Sequence, residues 1–440
     1  MASRVASQFV SRFGLNLILV LLYACGPAPA QSSSSDIGLA GAHILGARSA
    51  IMWADNDSLQ IWRVDVDAPS ADGHWTAILT PPELKTSSSQ AYINFGPDGT
   101  MRVFWASDER EFGDAHFNFD LHQAESRDEG HTWRTYQWNL VEPGGGAKVV
   151  KECHFIDRRH GWMLLVGDAG GGMLPEMLVT TLDGGHTWKV IADSDRNATQ
   201  PSLGINGGQS LVVRSAKVAS FIASQNRENK PPLVAGRTVD GGSTWTDTPL
   251  SPGSLGSGSS VGALAQLRDD PAHPHRVCFD ADLNLYDRTI DVRYCSSDDG
   301  RTWLSPVPVP RPTTIIGDTG PGLGHGSELP VYADALLGFT EVWGDHKSDG
   351  NSSNQETWRE YRVFVTADAG KTWKPAPASI TEHYKATEAI LITEAAARGN
   401  VVWLLVTVPG DSPHSDLFFS GDHGATWQVL PDGRLHNTAP

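Results

Sequence analysis

The chain has 440 residues, 40% hydrophobic and 19% charged, which is not a disordered composition. Its 45 Gly and 27 Pro promise many turns, without a collagen-like period. A formal net charge of −17 and the lack of basic runs set aside nucleic acid and anionic membrane surfaces as partners.

In chain order, the first element is an export signal rather than part of the fold. Arg4 and Arg12 form a basic start, and residues 14–24 (GLNLILVLLYA) are an apolar run too short to cross a bilayer. Two cleavage sites compete. Ala28-Pro29-Ala30 would leave Gln31 as the new N-terminus, whereas Leu22-Tyr23-Ala24-Cys25 resembles a lipobox and would make Cys25 a lipid attachment point. Either outcome places the mature chain outside the cytoplasm: periplasmic, secreted or anchored in a bacterial envelope. Residues 31–36 (QSSSSD) read as a tether, and residues 37–436 as one domain.

That domain opens with two strand-like runs, Ser49–Trp53 and Leu59–Val64, followed by Ser70-Ala71-Asp72-Gly73-His74-Trp75. The latter is a worn copy of an octapeptide that then recurs six times: SRDEGHTW (126–133), TLDGGHTW (181–188), TVDGGSTW (238–245), SSDDGRTW (296–303), TADAGKTW (366–373) and SGDHGATW (420–427). The aspartates are Asp128, Asp183, Asp240, Asp298, Asp368 and Asp422, spaced by 55, 57, 58, 70 and 54 residues. The pattern suits a hairpin turn. The carboxylate accepts from backbone N–H groups ahead of it, Gly supplies a positive φ, Thr starts the outgoing strand and Trp packs on the neighbouring unit. Apolar or alternating runs such as Met101–Trp105, Gly161–Val166 and Val401–Leu405 lie upstream of the turns. Three to four short strands per repeat, at a period near 57 residues, describe an all-β propeller. Counting the worn unit gives seven blades, with six as the alternative.

These octapeptides resemble Asp boxes, the bacterial neuraminidase repeats of sialidases, related glycosidases, photosystem II assembly propellers and sortilin-type receptors. The resemblance covers almost the whole mature chain. It implies that the six aspartates are structural, at the blade periphery, and that function sits on the opposite face, in the links between blades and the loops joining second to third strands. The sequence places long loops there at 107–120, 312–328 and 344–360. The stretch from Glu328 resembles the opening blade of sialidases, but Glu328 stands where that family carries the arginine that grips sialic acid. Hydrolysis of a different glycan stays open, and with it a sialidase-like nucleophile among Tyr332, Tyr361 and Tyr384.

A glycosidase needs two carboxylates across its site. The loop candidates are Glu328, Asp345, Asp114 and Glu111, with Glu328 and Asp345 placed in the catalytic role. Arg110, Asp114, His116, His325, His346 and Lys385 are the residues assigned to substrate. No cofactor and no metal are expected. His273 and His275 read as surface residues flanking a turn proline. Cys278 and Cys295 either bridge or remain buried thiols, and Cys153 reads as core. Three functions follow: a glycan-directed enzyme, a non-catalytic scaffold for a protein partner resembling the photosystem propellers, and a surface-anchored binding module. In each the partner, glycan or protein, meets the central face, and a monomer is expected. Fold alone does not separate them.

Overall fold

The computed structural model describes residues 41–430 apart from connecting stretches, of which the longest are 168–175, 194–209, 225–232, 252–259, 313–324 and 348–356. The strands form seven antiparallel sheets in chain order, the blades of a seven-bladed β-propeller. The predicted signal, tether and Cys25 lie outside the described residues, as does Asp72 of the worn repeat.

Blade 3 shows the plan: Ala147–Phe155, Gly161–Gly167, Glu176–Thr181 and Lys189–Asp193 pair in sequence order. Its octapeptide joins the third strand to the fourth. Successive strands run in opposite directions, so this turn lies at the same end as the turn between strands one and two. Hydrogen bonds show the two turns touching. The backbone N–H of the fourth octapeptide residue donates to the neighbouring turn's carbonyl in five blades: Gly184 to Arg159, Gly241 to Lys217, Asp299 to His275, Ala369 to Leu336 and His423 to Asn400. The loops between second and third strands, and the links between blades, occupy the other end.

Each octapeptide repeats one hydrogen-bond set. In blade 2, the Ser126 hydroxyl donates to Asp128 Oδ1 and accepts from Gly130 N–H, while Asp128 accepts from the backbone and hydroxyl of Thr132. The same four bonds recur around Asp183, Asp240, Asp298, Asp368 and Asp422, all between 2.6 and 2.9 Å. Every carboxylate is consumed by its own turn. The requirement for Gly is double. Gly130 has φ 87°, and a Cβ there would collide with Ile78 of blade 1.

The core is not one mass but a set of layers between blades. Phe104 and Leu121 of blade 2 pack with Met163, Leu165 and Val179 of blade 3. Trp188 of the blade 3 octapeptide enters this layer, edge-on to Phe104 and stacked on Trp138. Blade 1 (Gly41–Ile44, Ser49–Asp55, Leu59–Val66, Gly73–Ile78) and blade 7 (Leu391–Arg398, Val401–Val408, His414–Ser420, Gln428–Leu430) are each built from consecutive strands. Among the described residues, no strand of one chain end completes the blade of the other. The ring closes by packing: Met52, Trp62, Val64 and Trp75 meet Trp403, Leu405, Phe419 and Leu430. Arg398 also donates to the Leu45 carbonyl at 2.7 Å.

Three loop assignments change. Arg110–Phe112 and His116–Ser126 are strands, so most of 107–120 is a hairpin extension of blade 2. Gly338–Lys347 and Thr357–Thr366 pair over ten residues, which turns much of 344–360 into an extended hairpin of blade 6. His325–Ser327 is a short strand, so the end of 312–328 belongs to the blade. Alternation weakened by polar residues hid all three, because hydrogen bonding to a partner strand holds polar segments extended. His273 and His275 likewise begin a strand, His273–Asn284, rather than a turn, and both are exposed.

Candidate functional site

Two clefts are found among the described residues, both toward the outer strands of blades 5 and 6. One, of about 230 Å³, belongs to the end opposite the octapeptide turns. It exists because the outer strand of blade 6 is only Lys374–Pro375. The chain then makes one turn of helix, Ala378–Thr381, and runs past the exposed edge of Thr357–Thr366, where Tyr361 N–H donates to the Ala386 carbonyl at 2.8 Å. Glu360, Tyr361, Arg362, Thr381, Tyr384 and Ile390 line the space between.

Tyr384 is its distinctive group. Its ring packs on Phe418 of blade 7, and beside it lies Asp416, at the loop end of the third strand of that blade. Burial first, then the Asp416 carboxylate, hold the phenol well above the usual tyrosine pKa, so it is a neutral hydrogen-bond donor at physiological pH. His383 Nε2 sits 3.2 Å and His414 Nε2 3.8 Å from Asp416 Oδ2. His383 also packs edge-on against Tyr384, with ring centroids 4.9 Å apart. A phenol, a carboxylate and two imidazoles therefore converge beside a cleft of about 230 Å³.

The backbone register of blade 6 collects other sequence candidates at this same end. His325 pairs with Gly344, Asp345 with Arg359 and His346 with Trp358. The Arg359 guanidinium lies 3.9 Å over the Trp343 ring. Lys385 is exposed on the link, next to Tyr384. Arg110, Glu111 and His116 belong to the hairpin extension of blade 2, at the same end of their own sheet. Glu328 and Asp114 lie outside the described residues, as do the side chains of Arg110, Glu111, His116, His325, Asp345 and His346.

The three candidate tyrosines separate clearly. Tyr332 is committed elsewhere: its hydroxyl accepts from Arg293 at 2.7 Å, at the octapeptide end. Tyr361 faces the layer between blades 6 and 7 as well as the cleft. Tyr384 alone has the carboxylate and imidazole company. Asp416 and His414 carried no signal in the sequence, because they lie on another blade, 30 or more residues from Tyr384, and His383, though adjacent to Tyr384, is given its role only by Asp416. Among the described residues, no group of three or more His, Cys, Asp or Glu side chains is placed to hold a metal ion.

No family model matches the chain, and no curated protein matches it. Solved structures do resemble it. A PL25 ulvan lyase bound to -[GlcA(1-4)Rha3S]- is 10% identical at a TM-score of 0.49, covering 91% of this chain and 98% of the lyase. The β-propeller domain of the Trilobed protease from Pyrococcus furiosus is 11% identical at a TM-score of 0.44, over 92% of this chain and all of that one. The Niastella koreensis GH74 enzyme is 13% identical at a TM-score of 0.41, over 90% and 67%.

Proposed function

We propose that this is an exported propeller that binds and cleaves glycans on the face opposite its octapeptide turns, with blade 6 and its link to blade 7 as the binding surface. The observation that supports this reading is Tyr384 beside the cleft, a buried neutral phenol flanked by Asp416, His383 and His414. Sugars are recognised by neutral donors and carboxylates that satisfy hydroxyls, with aromatic faces for the ring. Trp343, with the Arg359 guanidinium over its ring, lies in the same blade. In the hydrolytic form of this reading Glu328 and Asp345 are the two carboxylates. Arg110, Asp114, His116, His325, His346 and Lys385 are then substrate contacts.

The test is a screen of neutral and acidic oligosaccharides for turnover and for binding, on wild type and on Tyr384→Phe, Asp416→Asn and Asp345→Asn. Turnover or binding lost in the variants at unchanged melting temperature supports the proposal. Retention of full activity in Tyr384→Phe and Asp416→Asn would remove the cleft from it.

A second reading, a scaffold for a protein partner, draws on Leu182 and Val239. These apolar residues occupy the same position in the octapeptides of consecutive blades and are 60% and 53% exposed. Glycan silence together with a captured partner that is lost on Leu182→Ser/Val239→Ser would favour it.

A further inference from the structure

The register pair directly ahead of the octapeptide is Trp162 and Thr180 in blade 3, Phe339 and Val365 in blade 6, and Trp403 and Phe419 in blade 7. In blade 5 it is Cys278 and Cys295, joined by a disulfide. The other blades hold this position without a covalent link, and blade 5 has the means to do the same. Its second and third strands pair without a break from Val277 opposite Ser296 to Asn284 opposite Thr289. Phe279, Ala281, Val292 and Tyr294 of the same strands are buried in the layer beside them. Opening the S–S bond therefore leaves the hydrogen-bonded strand pair and its packing in place.

The bond also borders solvent. Both cysteines line a cleft of about 280 Å³ at the joint with blade 6. The two sulfurs differ in their surroundings. Cys278 is half-buried, whereas Cys295 is 8% exposed. Arg276 Nη2 donates toward Cys295 Sγ at 3.8 Å. Thiol–disulfide exchange needs a path for a thiolate to one sulfur and a place for negative charge on the other. Cys278 meets the first need. Cys295, beside an N–H donor, meets the second. Cys153 is the opposite case: it is buried, and burial pushes its thiol well above the usual range, so it is inert.

We propose that Cys278–Cys295 is an exchange site for small thiols, entered through the cleft between blades 5 and 6. An incoming thiolate attacks Cys278 Sγ and forms a new S–S bond. The Cys278–Cys295 bond breaks, and its electron pair leaves with Cys295 as a thiolate. One disulfide replaces another, so no outside oxidant or reductant is consumed, and attack by Cys295 on the mixed disulfide expels the thiol again. The occupant is a low-molecular-weight thiol held covalently and reversibly on Cys278. The site lies at the octapeptide end and does not rest on the glycan reading.

The probe is 2-mercaptoethanol at millimolar concentration, added to the purified oxidised protein without denaturant. Samples are quenched with N-ethylmaleimide and mapped by peptide mass. Early time points should place mercaptoethanol on Cys278 and maleimide on Cys295, with the reverse arrangement about tenfold rarer. Cys153 should stay unlabelled and the circular dichroism unchanged. Leu336 lines the cleft and is 53% exposed. Leu336→Trp should slow the exchange about tenfold by narrowing access, and Val307→Trp is the companion variant should Leu336→Trp melt early. Adducts mainly on Cys295, labelling of Cys153 in step with the pair, wild-type rates in both tryptophan variants, or no adduct without denaturant would each overturn the proposal.

Discussion

Arg293 of blade 5 reaches across the joint to Tyr332 of blade 6, donating to its hydroxyl at 2.7 Å. The same guanidinium grips Asp280 through two bonds of 2.7 and 2.9 Å and donates to the Ala369 carbonyl in the next octapeptide turn. Burial works against the charge of Arg293, but Asp280 and Tyr332 outweigh it and raise its pKa. Other joints hold apolar layers as well; here, as with Arg237 between blades 4 and 5, an arginine takes part of that role. Arg293→Ala should destabilise the protein by about 3–5 kcal/mol, because it strands a buried carboxylate. Tyr332→Phe should cost only about 1 kcal/mol. Chemical denaturation of both variants checks the ratio, and comparable losses would show that the hydroxyl, not the ion pair, holds the joint.

His43 of blade 1 stacks on Phe95 of blade 2, with ring centroids 3.9 Å apart. Burial, assisted by Arg398 of blade 7, lowers its pKa from 6.5 to about 4. The folded protein therefore keeps the imidazole neutral where the unfolded chain would protonate it. The resulting stability is complete above pH 6.5 and is lost as pH falls toward 4. His43→Phe keeps the stack and removes the titration. The fall in melting temperature between pH 6.5 and 4 should shrink in this variant, by an amount worth about 2 kcal/mol after allowance for partial exposure. An unchanged slope would mean that His43 is protonated in the fold.

The octapeptide carboxylates titrate lower. Hydrogen bonds from the hydroxyl and then the backbone of Thr132 bring Asp128 to about 2, and those from Thr372 do the same for Asp368. The other four are also lowered, Asp183 and Asp298 against an opposing pull from burial. Depressed values mean stability that is present above the unfolded pKa near 3.9 and lost as pH falls toward 2. Unfolding followed by circular dichroism should steepen in that window. Asp368→Asn should flatten it slightly and lower the melting temperature at pH 7. Should Asp368→Asn instead match wild type at pH 7, the turn would owe its shape to glycine and threonine alone.

Trp403 is 1% exposed in the layer between blades 7 and 1. Since that layer closes the ring without a strand shared among the described residues, Trp403→Ala should cost about 3–5 kcal/mol. It should also raise hydrogen exchange in blades 1 and 7 before blades 3 and 4. Uniform exchange across the blades would show that the ring opens as one unit.

Most of the architecture was legible because the octapeptide states its own geometry. Ser or Thr, Asp, Gly, Thr and Trp each have one task in the turn, and the repeat distance counts the blades. The hairpin extensions at Arg110–Phe112 and at the Gly344–Lys347 end of Gly338–Lys347 were not legible, because their polar residues read as loop until a partner strand is seen. The Tyr384 cluster was half legible. Tyr384 and Lys385 stood among the candidates, but Asp416 reaches them from another blade. Spacing permits a 278–295 disulfide without requiring one; the register that sets Cys278 opposite Cys295 decides it.

Because every blade is a run of consecutive strands, the unit of sequence and the unit of structure coincide. A segment of roughly 57 residues, cut at any link, lifts out one whole sheet together with the turn that docks on its predecessor. Such a ring could grow by copying whole segments without breaking a sheet, and its origin could be moved to a different link with the same seven sheets preserved. The disulfide of blade 5 then reads as a departure of one copy from the shared plan.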